Sequence, residues 1–291
     1  MTIWDAPQNY APHSLPGTER HYHAGFLARG AGWVTVEIAS NGVPTQVEIR
    51  RLPDGAVQTR RKLLPATESL ELAVQPGPRH QAVSPDGQWL AVSRTLDRKT
   101  PLQVYALDTG KFVVELPEAG FGTMCGLDVS PDSRWLVRLD CGSGENAIAI
   151  YDTTNWRRTR EIRFRSAGED VMGSAIDPAS RFLATGGANE NSLRVWDLLT
   201  GRMVGQCSGS TVGSQPVWSQ DGRALLVREG PNLRLWSMIV FRELAAFPVA
   251  WNNTQIPLGF TADDRALVAL SSEGQMKAWS PPTLGEIDGK R

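Results

Sequence analysis

The chain is poor in the residue types that carry most protein chemistry. Its 291 residues include only three cysteines and four histidines. Cys125, Cys141 and Cys207 show neither paired nor Cys-x-x-Cys spacing, which argues against a disulfide framework and a zinc ribbon and fits a reducing compartment. For Cys125, with no basic residue nearby in sequence to lower its pKa, a buried apolar thiol is the expectation. Excess charge is lacking too. With 30 Lys and Arg against 31 Asp and Glu, the net charge of −1 gives no global field for phosphate backbones, although Arg50-Arg51 and Arg60-Arg61-Lys62 form a local basic strip. Nucleic acid is therefore not an expected partner. Met1 to Pro7 have neither the basic start nor the apolar run of a signal peptide, and no stretch approaches eighteen apolar residues. The sequence thus predicts a soluble, cytoplasmic protein without a membrane partner. No Gly-x-Ser-x-Gly elbow, phosphate-binding Gly-Lys-Ser/Thr loop or His-Glu-x-x-His pair occurs. Catalytic, cofactor-binding and metal-binding residues are expected to be absent. His21 and His23 share one face of a strand but lack a carboxylate or cysteine at matching spacing, so they read as solvated surface residues.

What the chain does have is a repeat. Six times a large apolar residue is followed seven positions later by another: Leu27 and Val34, Val83 and Leu90, Val129 and Leu136, Ile176 and Leu183, Trp218 and Leu225, Phe260 and Leu267. Between them lie turn sequences such as Ser84-Pro85-Asp86-Gly87, Ser130-Pro131-Asp132-Ser133 and Ser219-Gln220-Asp221-Gly222, in which Pro presets one dihedral and Gly or Asp tolerates a positive φ. The interval predicts a hairpin. Each hairpin is followed by a short alternating segment that ends on an aromatic: Tyr105, Tyr151, Trp196, Trp236 and Trp279, with Arg50 in that place in the first copy. The residues one and three before it are apolar, which predicts a strand with one buried face.

Four strands per unit and a period in the forties predict an all-β chain, a β-propeller of four-stranded antiparallel blades. The repeats fall at about 20-66, 79-117, 122-164, 170-207, 213-247 and 256-290, with residues 1-19 as an N-terminal extension or partial blade. Met1-Thr2-Ile3-Trp4-Asp5 fits the third-strand pattern. It reads either as the remnant of a seventh blade or as a strand that caps the array. Thr283-Leu284-Gly285-Glu286-Ile287 is expected to supply the fourth strand of the last copy.

Ser192-Leu193-Arg194-Val195-Trp196-Asp197-Leu198-Leu199-Thr200-Gly201 resembles the end of a WD repeat, and Ser84-Pro85-Asp86-Gly87-Gln88-Trp89-Leu90-Ala91 resembles its middle. The resemblance runs over residues 20 to 290 and implies a rigid platform for other proteins. The Gly-His pair that opens a full repeat is absent from all six copies, so the family's buried Asp-His-Ser-Trp network is not expected. Asp after the aromatic survives only at Asp152 and Asp197. Six-bladed bacterial propellers with repeated Ser-Pro-Asp-Gly turns are a second resemblance. It leaves open a propeller-type hydrolase or lactonase with a central-channel site.

Residues that the repeat does not explain are the candidates for partner binding. Trp251 lies in the long segment before the last copy, and Trp156 sits beside Arg157-Arg158 after a third strand. Aromatic and Arg side chains in exposed loops are common interface anchors. In the family resembled, the loops entering the first strands line the face that most often binds partners. Carried over by position, that face holds Tyr22, Arg79, His80, Met124, Met172 and Trp251, with Trp156 on the opposite face.

Overall fold

The computed structural model describes residues 2–5, 21–27, 32–38, 44–51, 56–64, 81–93, 101–117, 123–142, 145–165, 171–187, 192–208, 216–229, 232–248, 256–260, 264–270 and 276–280. Every regular element among them is a strand, and the strands form six four-stranded sheets. A first strand, β1 (Thr2–Asp5), precedes sheet 1, which contains β2 (His21–Phe26), β3 (Trp33–Ile38), β4 (Pro44–Arg50) and β5 (Val57–Lys62). Sheet 2 has β6 (Gln81–Val83), β7 (Trp89–Ser93), β8 (Leu102–Ala106) and β9 (Phe112–Leu116). Sheet 3 has β10 (Thr123–Val129), β11 (Trp135–Gly142), β12 (Glu145–Asp152) and β13 (Arg157–Phe164). Sheet 4 has β14 (Val171–Ile176), β15 (Phe182–Gly187), β16 (Ser192–Asp197) and β17 (Met203–Ser208). Sheet 5 has β18 (Val217–Trp218), β19 (Ala224–Glu229), β20 (Asn232–Ser237) and β21 (Arg242–Pro248). Sheet 6 has β22 (Ile256–Phe260), β23 (Leu267–Leu270) and β24 (Met276–Ser280), and its fourth place is taken by β1.

The place of β1 corrects its third-strand reading, because it pairs with β24 as a fourth strand. Ile3 lies opposite Trp279, where a fourth strand belongs, and Trp4 lies opposite Ala278. Thr2–Asp5 therefore completes sheet 6. Thr283–Ile287, expected in that place, lies outside the described residues.

The seven-residue markers pair as the hairpin reading requires. Val83 lies opposite Leu90, Val129 opposite Leu136, Trp218 opposite Leu225 and Phe260 opposite Leu267. Sheet 1 departs from the expected register. There Phe26 lies opposite Trp33, and Trp33 opposite Arg50, so Trp33 rather than Val34 holds the marker place. Leu27 instead closes the turn through its N–H to the Gly32 carbonyl at 2.9 Å. This first turn lacks the Pro-Asp pair, so the spacing rule was read there without its strongest support.

Turn residues are chosen by what they bind. Ser84 Oγ accepts the N–H groups of Gln88 and Trp89, both at 3.0 Å, and Ser219 Oγ accepts that of Ala224 at 2.9 Å. Asp177 does the same work in sheet 4 with a carboxylate oxygen, which accepts the N–H of Arg181 at 2.6 Å. The fourth turn residue is left-handed in each case: Gly87 (φ 74°), Ser133 (63°), Ser180 (60°), Gly222 (70°) and Asp264 (54°). Such a backbone favours glycine. Ser133 and Asp264 offset that preference with side-chain bonds to the preceding turn: Ser133 Oγ accepts the Asp86 N–H at 3.0 Å, and the Asp264 carboxylate accepts those of Gln220 and Asp221 at 2.8 and 2.9 Å.

The expectation of one buried face per strand is corrected by the packing. All five residues of β7 are buried, as are four of the five in β8 and seven of the eight in both β11 and β12. Alternation arises because the two faces meet different sheets, not because one faces water. Two compact units result, one of Leu15–Val171 with Leu198–Gly201 and one of Met1–Ser14, Met172–Asp197 and Arg202–Arg291. In the first, Val34, Val36 and Val47 of sheet 1 pack on Leu90, Val92 and Tyr105 of sheet 2. The other face of sheet 2, with Trp89, Ala91, Leu102 and Val104, meets Leu136, Ala147, Ala149 and Tyr151 of sheet 3. In the second unit, Ala184, Leu193 and Val195 meet Leu225, Val227 and Trp236, and then Leu226 and Leu233 meet Leu267. Each buried aliphatic side chain contributes about 1.5–3 kcal/mol, most of it realised only when the neighbouring sheet is present.

Candidate docking surface

Tyr22, Met124 and Met172 lie near the start of the first strand in three sheets. Each is the second residue of a first strand, β2, β10 and β14. Tyr22 lies opposite Val36 and Met124 opposite Asp140. Met124 is 5% exposed, so its side chain backs the end of its sheet rather than projecting from it. Arg79, His80 and Trp251 lie outside the described residues.

The first strands share a local distortion just inside this end. The register of β2 shifts between His23 and Gly25, that of β10 between Met124 and Gly126, and that of β22 between Pro257 and Gly259. One extra residue in each strand makes a β-bulge, which bends and twists the strand. In β10 the extra residue is Cys125, and it forms a disulfide with Cys141 of β11, with Cα atoms 5.9 Å apart. The expectation of a buried apolar thiol at Cys125, and the argument against disulfides, are thereby corrected: Cys125 is half-buried and bonded. A separation of sixteen residues has no motif signature, but the hairpin folds Cys141 back beside the bulge. Cys207 alone remains free, and burial pushes its thiol up to about 12.

Trp156 lies at the opposite end of sheet 3, in the turn joining β12 to β13. Its φ is 57°, and at the same turn position sheets 2 and 4 have Gly110 and Gly201, both at 71°, while sheet 5 has Phe241 at 49°. Half-buried Trp156 sets its ring edge-on against Trp89 of sheet 2, with centroids 5.1 Å apart. A T-shaped pair of this kind is worth about 0.5–1.5 kcal/mol beyond its buried area, which offsets part of the roughly 1–3 kcal/mol cost of a left-handed backbone.

The fourth strand of sheet 3 carries much of the described positive charge. Arg157, Arg158, Arg160 and Arg163 are exposed along β13. Glu161 pairs with Arg158 at 2.8 Å and with Arg163 at 2.6 Å, which reduces the local field. The exposed strand β5 carries Arg60, Arg61 and Lys62. Charged edge strands also discourage sheet-to-sheet association.

Buried charges lie between sheets and are mutually compensated. Arg138 Nε donates to the Asp140 carboxylate at 2.8 Å, with both side chains about 2% exposed or less. Ala149 and Ala147 stand opposite them on β12, small enough to leave room. Glu48 accepts from Arg50 at 2.5 Å and from Arg60 at 2.7 Å. Arg50 thus fills the aromatic's place by bringing its own counter-ion. Burial raises the pKa of the Tyr151 hydroxyl, which donates to the Pro117 carbonyl at 2.8 Å. The Asp152 carboxyl is held below the ordinary range chiefly by the Thr154 hydroxyl, and that of Asp221 by the Ser219 hydroxyl. Among the described residues no group of three or more His, Cys, Asp or Glu side chains is arranged to hold a metal, and no helix is long and apolar enough to cross a membrane.

Comparison with known proteins agrees with this architecture. The family described as WD domain, G-beta repeat matches residues 160–197. That stretch starts on β13 and ends on β16, so the sequence repeat begins in the fourth strand of one sheet and finishes in the third strand of the next. Over 128 residues the chain is 30% identical to the ribosome biogenesis protein erb1 of Botryotinia fuckeliana (strain B05.10), a match covering 41% of this chain. It spans only 16% of that relative's length. Among solved structures, hydrazine synthase of Kuenenia stuttgartiensis superposes with a TM-score of 0.65 at 16% identity, covering 96% of this chain and 86% of that one. At that identity the likeness concerns the fold alone.

Proposed function

Because the chain is a WD40-like β-propeller, we propose that it serves as a non-catalytic docking platform for a protein partner. The observation that carries this reading is the placement of Tyr22 and Met172 at the second position of first strands, with buried Met124 backing the start of a third, and Arg79, His80 and Trp251 on the segments that lead into such strands. A rigid framework supports it. The buried Asp140, opposite Met124 and paired with Arg138, holds β11 in one geometry beside this end of sheet 3, so a partner meets a surface whose ordering cost is partly met. Trp156 is the anchor proposed for the opposite sheet end.

The test is affinity capture from the source cells, followed by reconstitution with the purified partner. Trp251→Ala and Tyr22→Ala should weaken the reconstituted complex about tenfold or more, the usual loss when an interface anchor is truncated. Trp156→Ala separates the two sheet ends. Unchanged affinity in Trp251→Ala and Tyr22→Ala, with the fold intact by circular dichroism, would refute this surface.

A further inference from the structure

Cys125 and Cys141 are covalently joined but unequally placed. Cys125 is the extra residue of the β10 bulge and half-buried, whereas Cys141 is 5% exposed. A thiolate breaks a disulfide by attacking one of its two sulfurs, so access selects which sulfur is attacked. The accessible side is Cys125. The ladder around the bond is also complete without it: Thr123 pairs with Cys141 and Met124 with Asp140 on one side of the bulge, and Gly126 to Val129 pair with Leu139 to Leu136 on the other. Cys125 Sγ lies 3.6 Å from the Leu139 carbonyl, where a reduced thiol can donate a hydrogen bond. Both redox states therefore have a place in the same strand geometry.

We propose that Cys125–Cys141 is a thiol–disulfide exchange site that takes a low-molecular-weight thiol of the glutathione class at Cys125. The thiolate attacks Cys125 Sγ, forming a new sulfur–sulfur bond. The bond to Cys141 breaks, its electron pair leaves on the Cys141 sulfur, and that sulfur takes a proton from water. A second small thiol then attacks the mixed disulfide and releases Cys125 as a thiol. In net terms two small thiols become one disulfide, and the protein disulfide gains two electrons and two protons. The adduct lies beside Met124, but the exchange does not depend on that residue's role in docking. Cys207, wholly buried, with its thiol pushed up to about 12, is an internal control that should not react.

The full-length chain is incubated with mixtures of reduced and oxidised glutathione, quenched with acid, and mapped by peptide mass. The expected result is a glutathione adduct on Cys125 alone, formed while the circular dichroism spectrum stays native. Cys141→Ser removes the thiol that expels the adduct, so about tenfold more should accumulate at Cys125; Cys125→Ser should show none. Should Cys141→Ser fail to fold, the site of the adduct in the unaltered chain decides alone. An adduct on Cys141, reduction seen only together with unfolding, or no reduction at all would each overturn the proposal. So would two unpaired thiols in protein purified under oxidising conditions.

Discussion

Sheets 4 and 5 share most of their markers and differ at one buried position. Each ends its third strand on a buried tryptophan, Trp196 or Trp236, and each tryptophan lies opposite a second-strand leucine, Leu183 or Leu225. Two residues beyond that leucine sheet 4 has Thr185 and sheet 5 has Val227. Thr185 Oγ1 accepts the Trp196 indole N–H at 2.9 Å. The buried Trp236 indole nitrogen has no partner among the described residues. Part of the hydrogen-bond network that the missing Gly-His pair seemed to exclude therefore survives in sheet 4. The contrast separates two contributions that a tryptophan usually delivers together. Its ring area packs the interface between sheets in both places, while the polar atom is satisfied in only one. A bare buried N–H costs about 1–3 kcal/mol, which the ring's burial and its neighbours outweigh. Sheet 3 takes the position to the other extreme, with Arg138 there and Asp140 as its counter-ion.

The largest break in this series should come in sheet 3. Asp140→Ala removes the carboxylate from a buried guanidinium, and the expected loss is about 3 kcal/mol, seen as a lower midpoint in urea unfolding. Asp140→Asn retains the volume and isolates the charge. A midpoint for Asp140→Ala equal to that of the parent would show that Arg138 is held by other groups and not by this pair. Next in size is an exchange between sheets 4 and 5. Thr185→Val should cost about 1–2 kcal/mol, and Val227→Thr should gain about 1 kcal/mol by giving Trp236 Nε1 an acceptor. In the double variant the two changes should nearly cancel, because the residues sit in different sheets without shared partners. A Val227→Thr variant less stable than its parent would mean that the new hydroxyl cannot reach the indole.

Much of this arrangement was legible from the chain itself, for physical reasons. Strand pairing obeys a fixed period, so Val83 with Leu90 or Trp218 with Leu225 could be read from spacing and turn chemistry. Sheet 1 was misread by one residue because its turn has neither the Pro nor the Asp that marks the others. The Cys125–Cys141 bond was missed because it depends on a bulge, and a bulge adds one residue without a signature of its own. The packing of Trp156 on Trp89 was illegible for a related reason: it needs two sheets side by side, and spacing within one repeat says nothing about the next. Of the proposed docking surface, the position of Tyr22, Met124 and Met172 near the start of first strands was visible, while the burial of Met124 was not. Glu48 escaped notice because two arginines reach it, one from two residues away and one from twelve.

The smallest effect sharpens the same pair of sheets through pH. At the third turn residue sheet 5 has Asp221 where sheet 4 has Ala179. The Ser219 hydroxyl donates to the Asp221 carboxylate at 2.7 Å and the Arg223 N–H at 2.9 Å, and together they lower its pKa from 3.8, with the hydroxyl foremost. A carboxyl whose folded pKa is depressed stabilises the fold above its unfolded pKa, and that contribution fades as pH falls through the folded value. The sensitive window thus opens near 3.8 and extends below it. Asp221→Asn keeps an acceptor oxygen but no charge, so its unfolding midpoint should fall less steeply with acid over that window than the parent's does. Because Asp221 is largely exposed, water screens the gain and the difference should be small. Sheet 4, with alanine at this place, should contribute nothing to it, and because Asp177 stands there where sheet 5 has Ser219, Ala179→Asp would set two carboxyls side by side and should add a slope of the opposite sign. Identical acid profiles for Asp221→Asn and its parent would show that the turn is held by its uncharged bonds alone, as Ser84 holds the return strand of sheet 2.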